Sequence, residues 1–161
     1  MTESMEDKFN PFHSTNLFGY SKYFTNLSKL YEIKKFPKVV LISGEKGLGK
    51  FTFVFHLINF FFTYKHKDNS YDLQNFKINL QNEFYTKILS NINENFVYIN
   101  KSHNKKSVSI EDIREIKKKF YSTMLNDLPR FIVLDDVDQL NVNSANALLK
   151  QIEEPSNLNY F

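Results

Sequence analysis

The nine-residue stretch "GEKGLGKFT", residues 44–52, constrains this chain more than any other feature of its sequence. It contains three of the four glycines and lies between a continuous apolar run at residues 38–43 and an aromatic run at residues 50–64. A strand, a glycine turn and a helix in that order place backbone N–H groups at a helix start, where the helix dipole attracts anions. The stretch therefore predicts a phosphate-binding loop, and an ordinary strand-to-helix turn is the alternative.

The loop fits the pattern G-x-x-x-x-G-K-[ST] at every position except the last, where Phe51 replaces the hydroxyl that would bind Mg²⁺. Magnesium requires near-ideal octahedral oxygen coordination, which a phenyl ring cannot supply. Thr52 does not replace the hydroxyl, because one helical step turns a side chain by about 100°. We expect Lys50 and the N–H groups to hold phosphate without efficient hydrolysis. The candidate nucleotide-binding residues are Gly44, Glu45, Lys46, Gly47, Leu48, Gly49, Lys50, Phe51 and Thr52.

A second candidate element is the apolar run "FIVLDD", which ends in two acids, Asp135 and Asp136. A parallel strand of this kind places a carboxylate at the carboxyl edge of the sheet, beside the phosphates of a nucleotide. Asp136 stands where many such ATPases use Glu to orient water, and Asp is one methylene shorter. A displacement of about 1 Å can lower a rate on the order of a hundredfold. The alternative is that both acids merely end a strand.

Apolar runs and helical patterns alternate along the chain, which predicts an α/β fold with a mainly parallel sheet. We predict a loose segment at residues 1–16 and one domain over residues 17–161. Its predicted strands are residues 38–43, 95–100 and 130–136, with the first residues of another at 158–161. Its predicted helices are a first one around residues 23–31 that Pro37 ends, and then residues 50–64, 81–90, 109–120 and 143–154, the last capped by Asn143.

Several classes of site are disfavoured by composition. The chain has no cysteine, so it cannot form disulfides or thiolate zinc sites, and its four histidines lack metal-ligand spacing. The longest apolar stretch, residues 51–64, is shorter than the roughly 20 residues of a membrane span and contains His56 and Asn59. The chain opens on acidic and polar residues without a signal pattern, so we predict a cytoplasmic protein with no metal.

The net charge of +3 permits contact with nucleic acid without arguing for it. Six lysines, at positions 101, 105, 106 and 117–119, could contact phosphates, although a solvated face is the ordinary role of such a run.

Two segments near the end, "SIEDIREIKKKF" and "RFIVLDDVDQLNVNSANALLKQIEEP", resemble the ATPase-like domain of bacterial clamp-loader subunits. The most specific part is "NALLKQIEEP", which is close to the signature N-A-L-L-K-x-L-E-E-P of that family. The acids of "DDVDQLN" occupy the position of the aspartate strand, and the segment around the glycine loop also matches. The similarity runs from about Leu17 to Phe161 and is weakest at residues 65–95.

Within that family the chain is most similar to the delta-prime subunits of DNA polymerase III. Motor subunits keep G-K-[ST], an Asp-Glu pair and usually a cysteine zinc module, whereas this chain has Phe51, Asp136 and no cysteine. The resemblance implies a three-layer AAA+ fold in a hetero-oligomeric ring that loads a sliding clamp onto primed DNA. It implies that ATP binds weakly if at all, and no hydrolysis by this chain, although the holoenzyme is a nucleotidyltransferase.

The resemblance also implies that Asn143 and Ser144, at the start of the last helix, are candidates for contact with the DNA backbone. The family's arginine-finger motif, sensor strand, lid and collar are expected beyond Phe161. An active clamp-loader motor that tolerates Phe51 is one alternative. A P-loop kinase or transport ATPase unconnected with replication is another, but it leaves "NALLKQIEEP" unexplained.

Overall fold

The computed structural model describes residues 10–66, 68–99 and 128–161, which divide between two compact units. The first, called here the loop unit, lies within Met1–Phe36 and Leu41–Asn93 and includes the glycine loop. The second, called the sheet unit, lies within Pro37–Val40 and Glu94–Phe161 and includes both strand-end acids. The two units are described separately below.

The loop unit is helical in its described part. It contains α1 (Ser21–Glu32), α2 (Lys50–Thr63) and α3 (Glu83–Leu89), so the three helices predicted in this region are confirmed. Because α2 is apolar on nearly every side, it is buried almost all round, and Phe24 of α1 packs its ring against Phe53 and Phe60 of α2. Helix α1 ends at Glu32, before the proline predicted to end it, and Lys34 then adopts a left-handed backbone with φ 58°.

The polar segment without a clear period, residues 68–80, is shaped by local hydrogen bonds. Asp72 and Lys77 exchange backbone hydrogen bonds, and the Asp72 carboxylate accepts the N–H groups of Gln74 and Asn75 at 2.9 and 3.0 Å. Such an Asx-type turn needs no apolar periodicity, because a side chain supplies the acceptors. A second antiparallel bridge joins Lys77 to Asn16.

The described part of the N-terminal segment packs onto α2. Pro11–His13 form a 3-10 turn, and the ring of Phe12 contacts Phe51 and Phe55 at centroid distances of 5.0 and 5.1 Å. The Ser14 carbonyl accepts a hydrogen bond from the buried ring of His56 at 2.8 Å. Phe12 and Ser14 therefore contact α2, while the loose segment at residues 1–16 and the domain boundary after it stay predictions.

The sheet unit contains three parallel strands in the order β1 (Phe96–Ile99), β2 (Arg130–Leu134) and β3 (Asn159–Tyr160). Strands β1 and β2 pair from Phe96 with Phe131 to Ile99 with Leu134. Helix α4 (Val142–Glu153) covers one face of the sheet. The core there consists of the aliphatic residues Val97, Ile99, Ile132 and Leu148. The predicted α/β class with a parallel sheet is confirmed.

The apolar run at residues 38–43 is not a strand along its length, so that prediction is wrong. The Val40 N–H donates to the Phe161 carbonyl at 2.9 Å, and the Phe161 N–H donates to the Lys38 carbonyl at 2.8 Å. These two hydrogen bonds have the pattern of a parallel bridge. Leu41 is 78% exposed rather than covered on both faces. The helix predicted at residues 109–120 lies outside the described residues.

Candidate functional site

The glycine loop has the backbone geometry of a tight turn that leads into a helix. Gly47 and Gly49 have φ angles of 87° and 74°, a left-handed conformation that side chains rarely adopt, so these two positions require glycine. Helix α2 begins at Lys50, immediately after Gly49. Residues 43–48 are exposed. The loop therefore presents an accessible backbone turn at the start of a 14-residue helix, as an anion site requires.

The Lys50 side chain folds back across this loop. Its ammonium group donates to the carbonyls of Gly44 and Glu45, both at 2.9 Å. These two bonds join the two ends of the turn. A phosphate group would offer the same ammonium stronger, charged acceptors than these two carbonyls.

Phe51, at the position of the missing hydroxyl, is part of the core of the loop unit. The ring is 9% exposed, meets Phe12 edge-on at 5.0 Å and lies parallel to Phe55 at 6.1 Å. Burial of a phenyl ring stabilises a fold by about 2 kcal/mol or more. The residue that a magnesium site would need as an oxygen ligand thus has a packing role in this chain.

Tyr20 is a loop contact that the sequence reasoning missed. Its hydroxyl donates to the Leu48 carbonyl, and its ring packs against Phe53 at a centroid distance of 5.1 Å. The sequence shows only a tyrosine after Gly19 at the start of a helical pattern. No motif links that position to a residue 28 places further along.

The strand-end acids lie at the carboxyl end of β2, as predicted. The Tyr98 hydroxyl of the neighbouring strand β1 donates to Oδ2 of Asp135 at 2.9 Å, and the Asp136 N–H donates to Oδ1 at 3.0 Å. Asp136 itself is exposed and has a left-handed backbone with φ 50°. The loop belongs to one unit and the acids to the other, so their predicted placement around one nucleotide stays a prediction.

The start of α4 differs from the predicted cap. The helix begins at Val142, and Asn141, not Asn143, is its cap, because the Asn141 side chain accepts the Ser144 N–H at 2.8 Å. The side chain of Ser144 is fully buried and that of Asn143 is exposed. Asn143 is therefore the surface side chain of the two candidates for DNA contact.

His56 is the buried histidine of the described residues, and its hydrogen bonds define its tautomer. The Ser14 carbonyl can only accept, so Nε2 carries the hydrogen, and Nδ1 accepts from the Tyr71 hydroxyl at 2.8 Å. Burial lowers the pKa of His56 from 6.5 to about 4 and raises that of Tyr71. The neutral imidazole serves a structural link between α2, Ser14 and Tyr71.

Three further features were considered from the sequence: a metal cluster, a membrane span and the lysine run. Residues 10–66, 68–99 and 128–161 contain no group of three or more His, Asp or Glu side chains arranged to hold a metal. No helix in those ranges is long and apolar enough to cross a membrane. The six lysines considered for phosphate contact, and His103, lie outside the described residues.

Comparison with known proteins gives two findings. Residues 19–161 match the family model described as DNA polymerase III, delta subunit. The chain is also similar to the DNA polymerase III subunit delta' of Buchnera aphidicola subsp. Schizaphis graminum (strain Sg), with 27% identity over 145 residues. That alignment covers 87% of this chain and 40% of the relative, so the chain spans about two fifths of the length of the protein it matches.

Proposed function

The chain belongs to the family of DNA polymerase III, delta subunit, and from this premise we propose that it acts as a delta-prime-type subunit of a clamp loader. In this role it helps to place a sliding clamp on primed DNA during replication. It contributes to the ring as a structural partner and hydrolyses no ATP of its own. The match over residues 19–161 and the name of the Buchnera relative support this assignment.

The observation that carries the proposal is the buried ring of Phe51. Mg²⁺ needs oxygen ligands, and this position has a phenyl ring packed against Phe12 and Phe55. The glycine turn and Lys50 remain. Together they support weak binding of the phosphates of ATP without the metal chemistry of hydrolysis. No zinc is required.

The two acids that follow β2 are consistent with the same role. Asp135 is held by the Tyr98 hydroxyl and by the Asp136 N–H. Asp136 occupies the place where motor subunits of the family carry Glu, and its shorter side chain follows a left-handed backbone. A carboxylate displaced in this way is poorly suited to orient an attacking water.

The partners in this proposal are the other subunits of a hetero-oligomeric ring, in the cytoplasm, and the clamp and primed DNA reached through that ring. Asn143, exposed in the first turn of α4, is the candidate for contact with the DNA backbone. Binding of DNA by this chain alone is weak and falls with salt, because phosphate contacts are electrostatic and the groove is shared among subunits. Tight, sequence-selective duplex binding in a filter assay would contradict this.

The test rebuilds the loader ring from the full-length subunits of the same source, with and without this one, and measures clamp loading on primed DNA. We expect loading to be lost without the subunit. The isolated subunit should show ATP turnover no higher than a buffer blank, with or without Mg²⁺. Magnesium-dependent turnover by the isolated subunit would favour the alternative of an active motor that tolerates Phe51.

A further inference from the structure

Both the backbone and the ring of Tyr20 make contacts that fix the position of its hydroxyl at the glycine loop. Its carbonyl accepts the Phe24 N–H at 2.9 Å in the first turn of α1, which fixes the backbone. Its ring packs against Phe53, which is buried in α2. With the backbone and ring both fixed, the hydroxyl has little freedom, and it donates to the carbonyl of Leu48.

This hydrogen bond orients one peptide group of the loop. A trans peptide is planar, so its C=O and N–H point in opposite directions. Holding the Leu48 carbonyl toward Tyr20 therefore turns the Gly49 N–H away from Tyr20. Gly49 is also the left-handed residue that precedes α2, so its N–H is among the donors that a helix start offers to an anion.

We propose that Tyr20 is a positioning residue for the phosphate loop, whose hydroxyl sets the Leu48–Gly49 peptide so that the Gly49 N–H is directed at a bound phosphate group. The inference rests on the proposed function in one respect, namely that the loop takes a phosphate-bearing ligand. Tyr20 does not itself contact that ligand. Its effect passes through the orientation of one amide.

The test compares the chain with its Tyr20→Phe variant, which keeps the ring against Phe53 and removes only the hydroxyl. Tyr23→Phe is the matched control, because Tyr23 is an exposed tyrosine on the same helix. Two properties are measured on isotopically labelled protein: the NMR shift and hydrogen exchange of the Gly49 amide without ligand, and the affinity for inorganic pyrophosphate.

We expect Tyr20→Phe to shift the Gly49 amide signal and to speed its exchange. Pyrophosphate affinity should fall roughly fivefold, the equivalent of one hydrogen bond of about 1 kcal/mol. Amides in the centre of α2 should keep their exchange rates, because a merely structural defect would spread through the helix. Tyr23→Phe should change none of these properties.

An unchanged Gly49 amide in Tyr20→Phe would overturn the proposal, and so would an equal loss of affinity in Tyr23→Phe. If the unmutated chain fails to bind pyrophosphate, the nucleotide part of the proposed function is wrong. The positioning role is still decided in that case, because the Gly49 amide is compared without any ligand.

Discussion

The loop unit has a largely aromatic core, whereas the main core of the sheet unit is aliphatic and lies between a parallel sheet and a helix. In the loop unit the fully buried rings of Phe24 and Phe55 lie with the equally buried His56. In the sheet unit the core is made by Ile132, Leu148 and their aliphatic neighbours. The two cores accommodate the residues of their functional motifs in different ways.

In the loop unit, the residue at one motif position is part of the hydrophobic core. Phe51 stands where a metal-binding hydroxyl is expected, and its ring packs with Phe12 and Phe55. In the sheet unit, the motif position stays polar, because Asp135 extends past the end of β2 and is met by Tyr98. The comparison teaches that a residue at one motif position can serve the packing of its unit, while a residue at another motif position keeps polar contacts in its own unit.

The strongest test of this comparison replaces Phe51 by Thr, which restores the hydroxyl of the motif. We expect the free energy of unfolding to fall by about 4 kcal/mol, because removal of a buried ring leaves a cavity. The measurement is urea denaturation followed by circular dichroism. Phe18→Thr is the control, since Phe18 is 83% exposed, and it should change stability by no more than about 0.5 kcal/mol. Equal effects of the two variants would refute the packing role of Phe51.

The second test uses pH to probe His56, a buried titratable group of the loop unit. Burial lowers the pKa of His56 to about 4, so between pH 6.5 and 4 the unfolded chain binds a proton that the folded chain does not. Stability therefore falls as the pH is lowered through this range, by roughly 3 kcal/mol from His56.

The measurement is the free energy of unfolding from pH 7.5 to 4 in the unmutated chain, in His56→Gln and in His13→Gln. Contributions of carboxylates are common to all three and cancel in the differences. His56→Gln should have the shallower pH dependence, and His13→Gln, which alters an exposed histidine, should match the unmutated chain. Identical curves for all three would exclude His56 as a source of acid sensitivity.

The third test concerns the sheet unit and the cap of α4. Asn141→Ala removes the acceptor of the Ser144 N–H and should lower stability by about 1 kcal/mol, as measured by thermal or urea unfolding. Asn143→Ala, two residues later, should change stability by less than about 0.5 kcal/mol. A larger loss of stability in Asn143→Ala than in Asn141→Ala would show that Asn143 is the cap.

The smallest effect is expected for Lys50→Ala in the full-length subunit of a rebuilt loader ring. If the site of this chain hydrolyses nothing, DNA-dependent ATP turnover and clamp loading should stay within about twofold, or roughly 0.4 kcal/mol. In a P-loop that hydrolyses ATP, the same change would lower the rate of turnover on the order of a thousandfold. A tenfold loss in a ring that assembles normally would mean that the loop is a working site.

Much of the fold could be predicted from local patterns in the sequence. Apolar periodicity predicted α1, the aromatic run after the glycine loop predicted α2, and the apolar run before Asp135 predicted β2. These signals arise within a few neighbouring residues. The glycine turn was predictable for the same reason.

The features that could not be predicted depend on contacts between residues far apart in the sequence, or on which of two similar side chains makes a hydrogen bond. The run at residues 38–43 reads as a strand, but its pairing depends on Phe161. The bond from Tyr20 to Leu48 joins residues that no motif connects. Asn141 and Asn143 are the same residue type two positions apart, and only the hydrogen bond to the Ser144 N–H shows which one is the cap.

The burial of Phe51 also bears on how this site could evolve. A lineage that carries a phenylalanine there cannot regain a metal ligand in one step without opening a cavity beside Phe12 and Phe55. A change at this position therefore meets two opposing demands: a metal ligand needs a small side chain with an oxygen, and the packing beside Phe12 and Phe55 needs a ring.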